Sequence, residues 1–243
     1  MAFQMGERPF NAIEKMSDGI RAYFGKVYNY MAGGLALSGL VAYVVSHSPQ
    51  VMSLFYQRTQ DGGLTYSLLG WVAILSPLIL VFMISSAIGH MRVAKAQGLF
   101  WLFSGLMGVS LSNIFFFYEN VAIVQAFLVT AGAFAGLSLY GYTTRKSLAG
   151  WGSFLFMGLF GVILASIVNL FLGSSAVNFG ISVLSVIIFV GLTAYDTQKL
   201  KAIYEGSFSE EQKNALAISG ALSLYLDFIN LFRVILYFMN DRR

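Results

Sequence analysis

Residues 176–197 read AVNFGISVLSVIIFVGLTAYDT, a run of 22 residues with one charged side chain, Asp196. An α-helix rises about 1.5 Å per residue, so the run is long enough to cross the roughly 30 Å hydrocarbon core of a bilayer. Further runs of similar length and composition lie near residues 27–46, 65–88, 99–117, 121–144, 151–172 and 215–238. The sequence therefore predicts an all-α membrane protein, a bundle of seven transmembrane helices.

The composition of the whole chain agrees with this prediction. Of its 243 residues 57% are hydrophobic and only 11% are charged, and the mean hydropathy is +0.71. Soluble domains usually carry about 25% charged residues. The chain contains no cysteine, which excludes a disulfide framework, a thiolate metal site and a cysteine nucleophile.

The amino-terminal residues carry several charges and lack an apolar core as long as that of a cleaved secretory signal. We therefore expect a retained cytoplasmic segment, residues 1–24, followed by a single transmembrane domain over residues 25–243. Phe10, Ile13 and Met16 recur at helical spacing within the segment. This pattern fits either a short helix on the membrane surface or an extension of the first span.

The lysines and arginines are divided unequally between the two sides of the predicted bundle. On the amino-terminal side there are eleven, and on the opposite side four, so the positive-inside rule predicts a cytoplasmic amino terminus and an external carboxyl terminus. They are spread over short connections and form no single patch, so we expect no nucleic-acid partner. The eleven are Arg8, Lys15, Arg21, Lys26, Arg92, Lys95, Arg145, Lys146, Lys199, Lys201 and Lys213; the four are Arg58, Arg233, Arg242 and Arg243.

Two aspartates lie inside runs that otherwise read as lipid-buried helix. Asp196 ends the sixth run, and Asp227 lies in LSLYLDFINLF, residues 222–232, within the seventh. Ionisable side chains at such depth are costly and usually mark a functional site. The alternative is that each aspartate is a buried hydrogen-bonding group that holds helices six and seven together.

The two aspartates are expected at similar depths. The seventh span reaches Asp227 about a dozen residues after it starts, and the polar residues 210–214 predict that its first turns lie in the cytoplasm. The side chains of two antiparallel helices can then meet. Two carboxylates within about 4 Å cannot both ionise cheaply and tend to share one proton. The pair is therefore a candidate proton sensor.

The same carboxylate oxygens suit a hard cation. Calcium prefers about 6–8 oxygen ligands and two carboxylates supply at most four, so calcium at Asp196 and Asp227 is expected to be weakly bound and partly hydrated. Asn230, Gln198 and Tyr195 are candidate supporting residues. Beyond a weakly bound calcium ion we expect no cofactor.

Four motifs carry a resemblance to a known family. The two aspartates lie in GLTAYDTQKL, residues 191–200, and ALSLYLDFINLF, residues 221–232. Two more, SPLI at residues 76–79 and GLSLY at residues 136–140, lie in the second and fourth spans. With these motifs the chain resembles the Bax-inhibitor-motif family of membrane proteins from about residue 20 onward.

The resemblance implies a seven-helix bundle whose last helix is surrounded by the other six. It also implies a pH-sensitive calcium leak channel gated by paired aspartates, here Asp196 and Asp227, with protonation of the pair associated with opening. Bacterial members, which the compact size favours, would lie in the inner membrane and bind a membrane-bound ATP-dependent protease; eukaryotic members suppress cell death. In some members an arginine at the end of the second helix latches the pair. A gap-free reading places His90 near that position and Arg92 two residues further on, so both are candidate latches.

Two other functions remain open. The chain can be a regulatory partner of a membrane protease or of a stress or cell-death protein, because only two acids lie within the membrane and a long acidic pore lining is missing. An intramembrane aspartyl protease would use one carboxylate to activate water and the other to protonate the leaving group. However, Asp227 lacks flanking glycine and the proline motif expected on a later helix is missing. We therefore expect a protein that is not an enzyme.

Overall fold

Long helices account for most of the chain. The computed structural model describes the backbone of residues 7–59, 63–87, 92–205 and 209–240 and the side chains of residues 18–59, 63–84, 92–205 and 209–240. The helices are α1 (Glu7–His47), α2 (Pro49–Phe55), α3 (Leu68–Ala87), α4 (Val93–Leu111), α5 (Ile114–Phe117), α6 (Asn120–Thr143), α7 (Ala149–Leu172), α8 (Ser175–Glu205) and α9 (Glu210–Asn240), and the strands are β1 (Tyr56–Arg58) and β2 (Leu64–Tyr66).

The helices are long and apolar enough to cross a membrane. In the described part of the chain six segments meet this criterion: Asp18–His47 of α1, Val93–Phe117 across α4 and α5, and the whole of α6, α7, α8 and α9. The helix α3 adds a shorter apolar stretch, Leu68–Ile84. Large apolar side chains such as Phe82, Leu128 and Phe160 are exposed on the outside of the bundle, where lipid would cover them. The predicted all-α, seven-helix membrane fold is confirmed.

The last helix, α9, forms the centre of the bundle. In its most apolar window 72% of the residues are buried, against 11% to 39% in the other five long spans. The helices α1, α3, α4, α6 and α8 pack against α9, whereas α7 packs chiefly against α8 and is peripheral. The last helix is therefore central, as the family resemblance implies, but its main neighbours are five helices instead of six.

The first connection has more structure than the sequence predicted. The predicted spans near 27–46 and 65–88 leave residues 47–64 as a connection, but Tyr56–Arg58 and Leu64–Tyr66 form an antiparallel hairpin, and α3 starts only at Leu68. The hydroxyl groups of Tyr56 and Ser112 form a 2.8 Å hydrogen bond that ties the hairpin to the end of α4. Hydropathy alone does not identify the strand, because Leu64–Tyr66 is too short to show a periodicity of its own.

The first span has a helical extension at its amino-terminal end. The helix α1 is continuous from Glu7 to His47, longer than the predicted span of residues 27–46. This continuity agrees with an extension of the first span and not with a separate surface helix.

One end of the bundle gathers most of the basic residues. The Lys26 ammonium donates to the Asn214 side-chain oxygen at 2.8 Å, and the Lys201 ammonium donates to the Tyr142 carbonyl at 3.3 Å. These contacts bring the amino-terminal part of the span Asp18–His47, the start of α9 and the ends of α6 and α8 to the same side. We call this side the basic end; its lysines and arginines among the described side chains are Arg21, Lys26, Arg92, Lys95, Arg145, Lys146, Lys199, Lys201 and Lys213.

Candidate functional site: a buried carboxylate pair

The two predicted aspartates lie on adjacent helices inside the bundle. Asp196 on α8 is 9% exposed and Asp227 on α9 is 5% exposed. The carboxyl groups are close enough for the charge of Asp196 to act on Asp227. The structure therefore places the two aspartates on adjacent helices, within electrostatic reach of each other and away from bulk water.

Close packing of α8 on α9 explains how the depths match. A Cβ atom added at Gly220 would lie only 2.3 Å from Leu200 Cδ2, so the glycine lets the leucine sit directly against the α9 backbone. Asp196 lies four residues from Leu200 along α8, a rise of about 6 Å, and Asp227 lies seven residues from Gly220 along α9, a rise of about 10 Å. Because the helices are antiparallel, both aspartates lie on the same side of this crossing. The levels of the two aspartates thus differ by only about one helical turn.

Asp227 carries a buried oxygen without a partner. Its Oδ2 is inaccessible to solvent and accepts no hydrogen bond from the described residues. Buried polar atoms are almost always hydrogen-bonded, and an unsatisfied one costs about 1–3 kcal/mol. An oxygen left in this way is available to a proton, a water molecule or a cation.

A narrow crevice reaches Asp196 from the basic end. It has a volume of about 50 Å³, enough for a few water molecules. Its polar lining includes Lys199, Ser219 and Ser223 beside the aspartate, and the charge of Lys199 acts on Asp196. Lys199 lies three residues after Asp196 and Ser223 four residues before Asp227, so helical spacing is the sequence signal that places each near its aspartate.

A larger cavity approaches from the opposite end. It lies among α3, α4 and α9, has a volume of about 470 Å³, and is lined by residues that include Pro77, Asn113, Leu226 and Arg233. Because Leu226 precedes Asp227, the cavity reaches the level of the acidic pair on the central helix.

The candidate supporting residues have separate surroundings. Gln198 accepts a 2.7 Å hydrogen bond from the Leu148 amide and donates at 2.9 Å to the Lys146 carbonyl, so it fastens the connection between α6 and α7. The Tyr195 ring packs against α7, close to Gly152. Asn230 is half-buried on α9, one turn beyond Asp227. Gln198 and Tyr195 are thus occupied away from the pair.

The candidate latch residues are not both described. His90 lies outside the described residues. Arg92 is exposed at the start of α4, and the ion pair seen among the described side chains is Lys213–Glu210. The cation whose charge acts on Asp196 is Lys199.

Two hydroxyl networks include residues within two positions of the aspartates, Thr197 and Tyr225, and carry no recognisable sequence signal. The Thr197 hydroxyl bonds to Ser138 at 3.0 Å, and Ser138 bonds to Tyr28, linking α8, α6 and α1. The Ser38 hydroxyl is 2.7 Å from that of Tyr225 and donates to the Ser104 carbonyl at 2.6 Å. This second network links α1, α4 and α9. These long-range partners depend on helix rotation, which a single sequence does not reveal.

The acidic pair is small as a metal site. Among the described residues no group of three or more His, Asp, Cys or Glu side chains is arranged to hold a metal ion. Any divalent cation at Asp196 and Asp227 would complete its shell with water or with hydroxyl oxygens such as that of Ser223.

The fold and the site define a class: a multi-pass membrane protein with a carboxylate pair buried between its last two helices. The family described as "Inhibitor of apoptosis-promoting Bax1" matches residues 20–243, and the chain belongs to this family. The resemblance drawn from the aspartate motifs is thereby confirmed.

Three bacterial proteins resemble the chain over nearly their whole length. The chain is 42% identical over 227 residues to the inner membrane protein YbhL of Escherichia coli K12, covering 93% of this chain and 94% of YbhL. It is 44% identical over 228 residues to an uncharacterized protein of Caulobacter vibrioides, covering 93% and 90% of the two chains. An uncharacterized protein of Rickettsia prowazekii is 39% identical over 226 residues, covering 93% and 92%.

Proposed function

We propose that the protein is a pH-sensitive calcium leak channel in which Asp196 and Asp227 bind both the proton and the cation. One observation carries the proposal: a buried carboxylate oxygen of Asp227 has no hydrogen-bond partner among the described residues, and it lies within reach of the charge of Asp196. Helix-stabilising aspartates would be expected to use their oxygens in hydrogen bonds between helices.

The chemistry of the pair suits transient binding. Ionised, the two carboxylates offer up to four oxygens to calcium, which keeps part of its hydration shell because it prefers about 6–8. Weak, partly hydrated binding favours passage over storage. Protonation removes the charge of the pair, and with it the repulsion between the two carboxylates and the attraction of Lys199 for Asp196. We expect the two side chains to rearrange between α8 and α9 and the path along α9 to open.

Two openings supply the access that a leak requires. The crevice from the basic end reaches Asp196, and the 470 Å³ cavity from the opposite end reaches Leu226. They are separate in this structure, so conduction requires the central helix α9 to shift against its neighbours. No resident cofactor and no catalytic step enter the proposal.

Calcium flux into liposomes tests the proposal. The purified protein is reconstituted with a calcium-sensitive dye inside, and initial rates are measured at acid and alkaline pH. We expect faster flux at acid pH, and we expect Asp227→Asn and Asp196→Asn to abolish the difference between the two conditions because neither variant retains a titrating pair.

The matched control is Asp18→Asn, which changes an exposed aspartate near the start of the first span. It should keep the wild-type pH profile. Unaltered flux in both pair variants would remove the aspartates from the mechanism, and equal flux from protein-free liposomes would remove the channel itself.

A further inference from the structure

A groove on the outside of the bundle separates two helices that share a neighbour. The helices α1 and α6 both pack on α9, and side chains such as Phe24 and Tyr142 meet between them. The space between them has a volume of about 660 Å³. The buried rings of Phe134 and Phe228 line it, and the small residues Gly25, Ala32 and Ala135 keep it open.

The length of the groove matches one leaflet of a membrane. Its lining extends from Arg21 to Leu35 on α1 and from Ala131 to Tyr142 on α6. These segments rise about 21 Å and about 16 Å respectively. Half of a hydrocarbon core is about 15 Å thick. One acyl chain therefore fits along the groove with room for a headgroup at one end.

Charge is confined to one end of the groove. Arg21 lines it at the basic end, and the Lys201 ammonium lies 5.3 Å from the centre of the Tyr142 ring, which also lines it. None of the described carboxylates forms an ion pair with Arg21. The hydroxyl groups of Tyr28 and Ser138 on the groove wall bond to each other, so they require no ligand.

We propose that this groove binds an anionic phospholipid, with an acyl chain against Phe228 and the phosphate against Arg21. A guanidinium group matches the geometry of a phosphate and binds it through paired hydrogen bonds. A headgroup that carries net negative charge complements the two cations at this end, whereas a zwitterionic headgroup brings its own cation. The site is independent of the calcium leak, because it lies on the lateral face and uses neither aspartate.

Retention of lipid by the purified protein tests this site. The protein is reconstituted in vesicles of equal parts phosphatidylglycerol and phosphatidylcholine and then released into detergent. Native mass spectrometry identifies the lipid that remains bound from the added mass. We expect one phosphatidylglycerol to remain bound. Gly25→Leu should abolish retention, because a side chain at Gly25 enters the open groove. Its control, Gly39→Leu, also enters open space on α1 but lies outside the groove lining, and should retain the lipid.

A second pair of variants tests the groove independently, in case Gly25→Leu does not fold. Ala135→Phe fills the groove from α6, and Ala133→Phe places the same ring on an exposed position outside it.

Arg21→Gln should lower the preference for phosphatidylglycerol about fivefold, as expected for one basic residue at an anionic surface, whereas Lys95→Gln on α4 should not. Equal retention by groove and control variants, equal retention of both lipids by the wild type, or no retained lipid would overturn the proposal.

Discussion

The unpartnered oxygen of Asp227 is the most informative atom of the site. Replacing Asp227 with an apolar residue of similar size would remove a buried group that costs about 1–3 kcal/mol when unsatisfied. The chain instead places the carboxyl group of Asp196 within electrostatic reach of it, which adds repulsion whenever both are ionised. Such an arrangement stabilises the bundle poorly but responds strongly to a proton or a cation.

Lys199 should tune this response. Lys199 lines the same crevice as Asp196, and a cation near a carboxylate opposes its protonation, so we expect Lys199→Gln to make protonation of the pair easier. The acid-activated calcium flux should then begin at higher pH, by less than about one unit because the ammonium is exposed. The measurement is the midpoint of liposome flux against pH. Lys146→Gln removes an exposed cation at the same end and should leave the midpoint unchanged; a shift to lower pH in Lys199→Gln would contradict the assignment.

For individual residues, the sequence predicted their depth along the helices better than it predicted their side-chain contacts. The depths of Asp196 and Asp227 follow from span ends and from helix rise, and the structure has them on adjacent helices at similar levels. The partners of Gln198 and Tyr195 do not follow, because they depend on how α8 is rotated against α6 and α7. Whether the pair senses protons stays a prediction.

Among the helices, the crossing of α6 over α8 depends on one glycine. A Cβ atom at Gly141 would lie 2.3 Å from the Ala194 carbonyl oxygen, which belongs to the backbone and cannot rotate away. Small residues of this kind let membrane helices approach closely and gain packing energy. The contact lies two residues before Asp196 along α8, so it also holds the aspartate in place.

Gly141→Ala should therefore separate the two helices and destabilise the bundle by about 1–3 kcal/mol, the usual effect of overpacking. The measurement is unfolding of the detergent-solubilised protein. Gly136→Ala on the same helix meets open space and should be neutral or slightly stabilising, because alanine favours helix more than glycine does. Equal stability of the two variants would show that the crossing tolerates a methyl group.

The sequence predicted the long helices but not the hairpin before α3. Apolar runs of about 20 residues identify spans regardless of their partners. A short strand such as Leu64–Tyr66 has no periodicity long enough to distinguish it from the start of a helix. Its structure depends on the distant Ser112, which holds Tyr56 in place.

For the whole molecule, the basic end predicts the orientation in the membrane. Basic connections stay in the cytoplasm, so we expect the starts of α1, α4, α7 and α9 to face it. The chain has no cysteine, so single cysteines can be labelled without background. Ser147→Cys, in the exposed connection after α6, should react with a membrane-impermeant maleimide only in inverted vesicles. Ser175→Cys, at the start of α8, should react only in intact cells, where the external face of the membrane is accessible.

The reverse pattern of labelling would place the basic end outside. Labelling of both positions from one side would contradict an odd number of crossings between them, since α7 alone separates Ser147 from Ser175.

The position of α9 has a consequence for how the protein is made. The central helix is translated after all the helices that pack around it. Until Glu210–Asn240 leaves the ribosome, the inner faces of α1, α4, α6 and α8 have no final partner and must be shielded by lipid or by the insertion machinery. A nascent chain stalled before Glu210 would therefore hold an assembly of spans without a core, and premature termination there should direct the product to degradation.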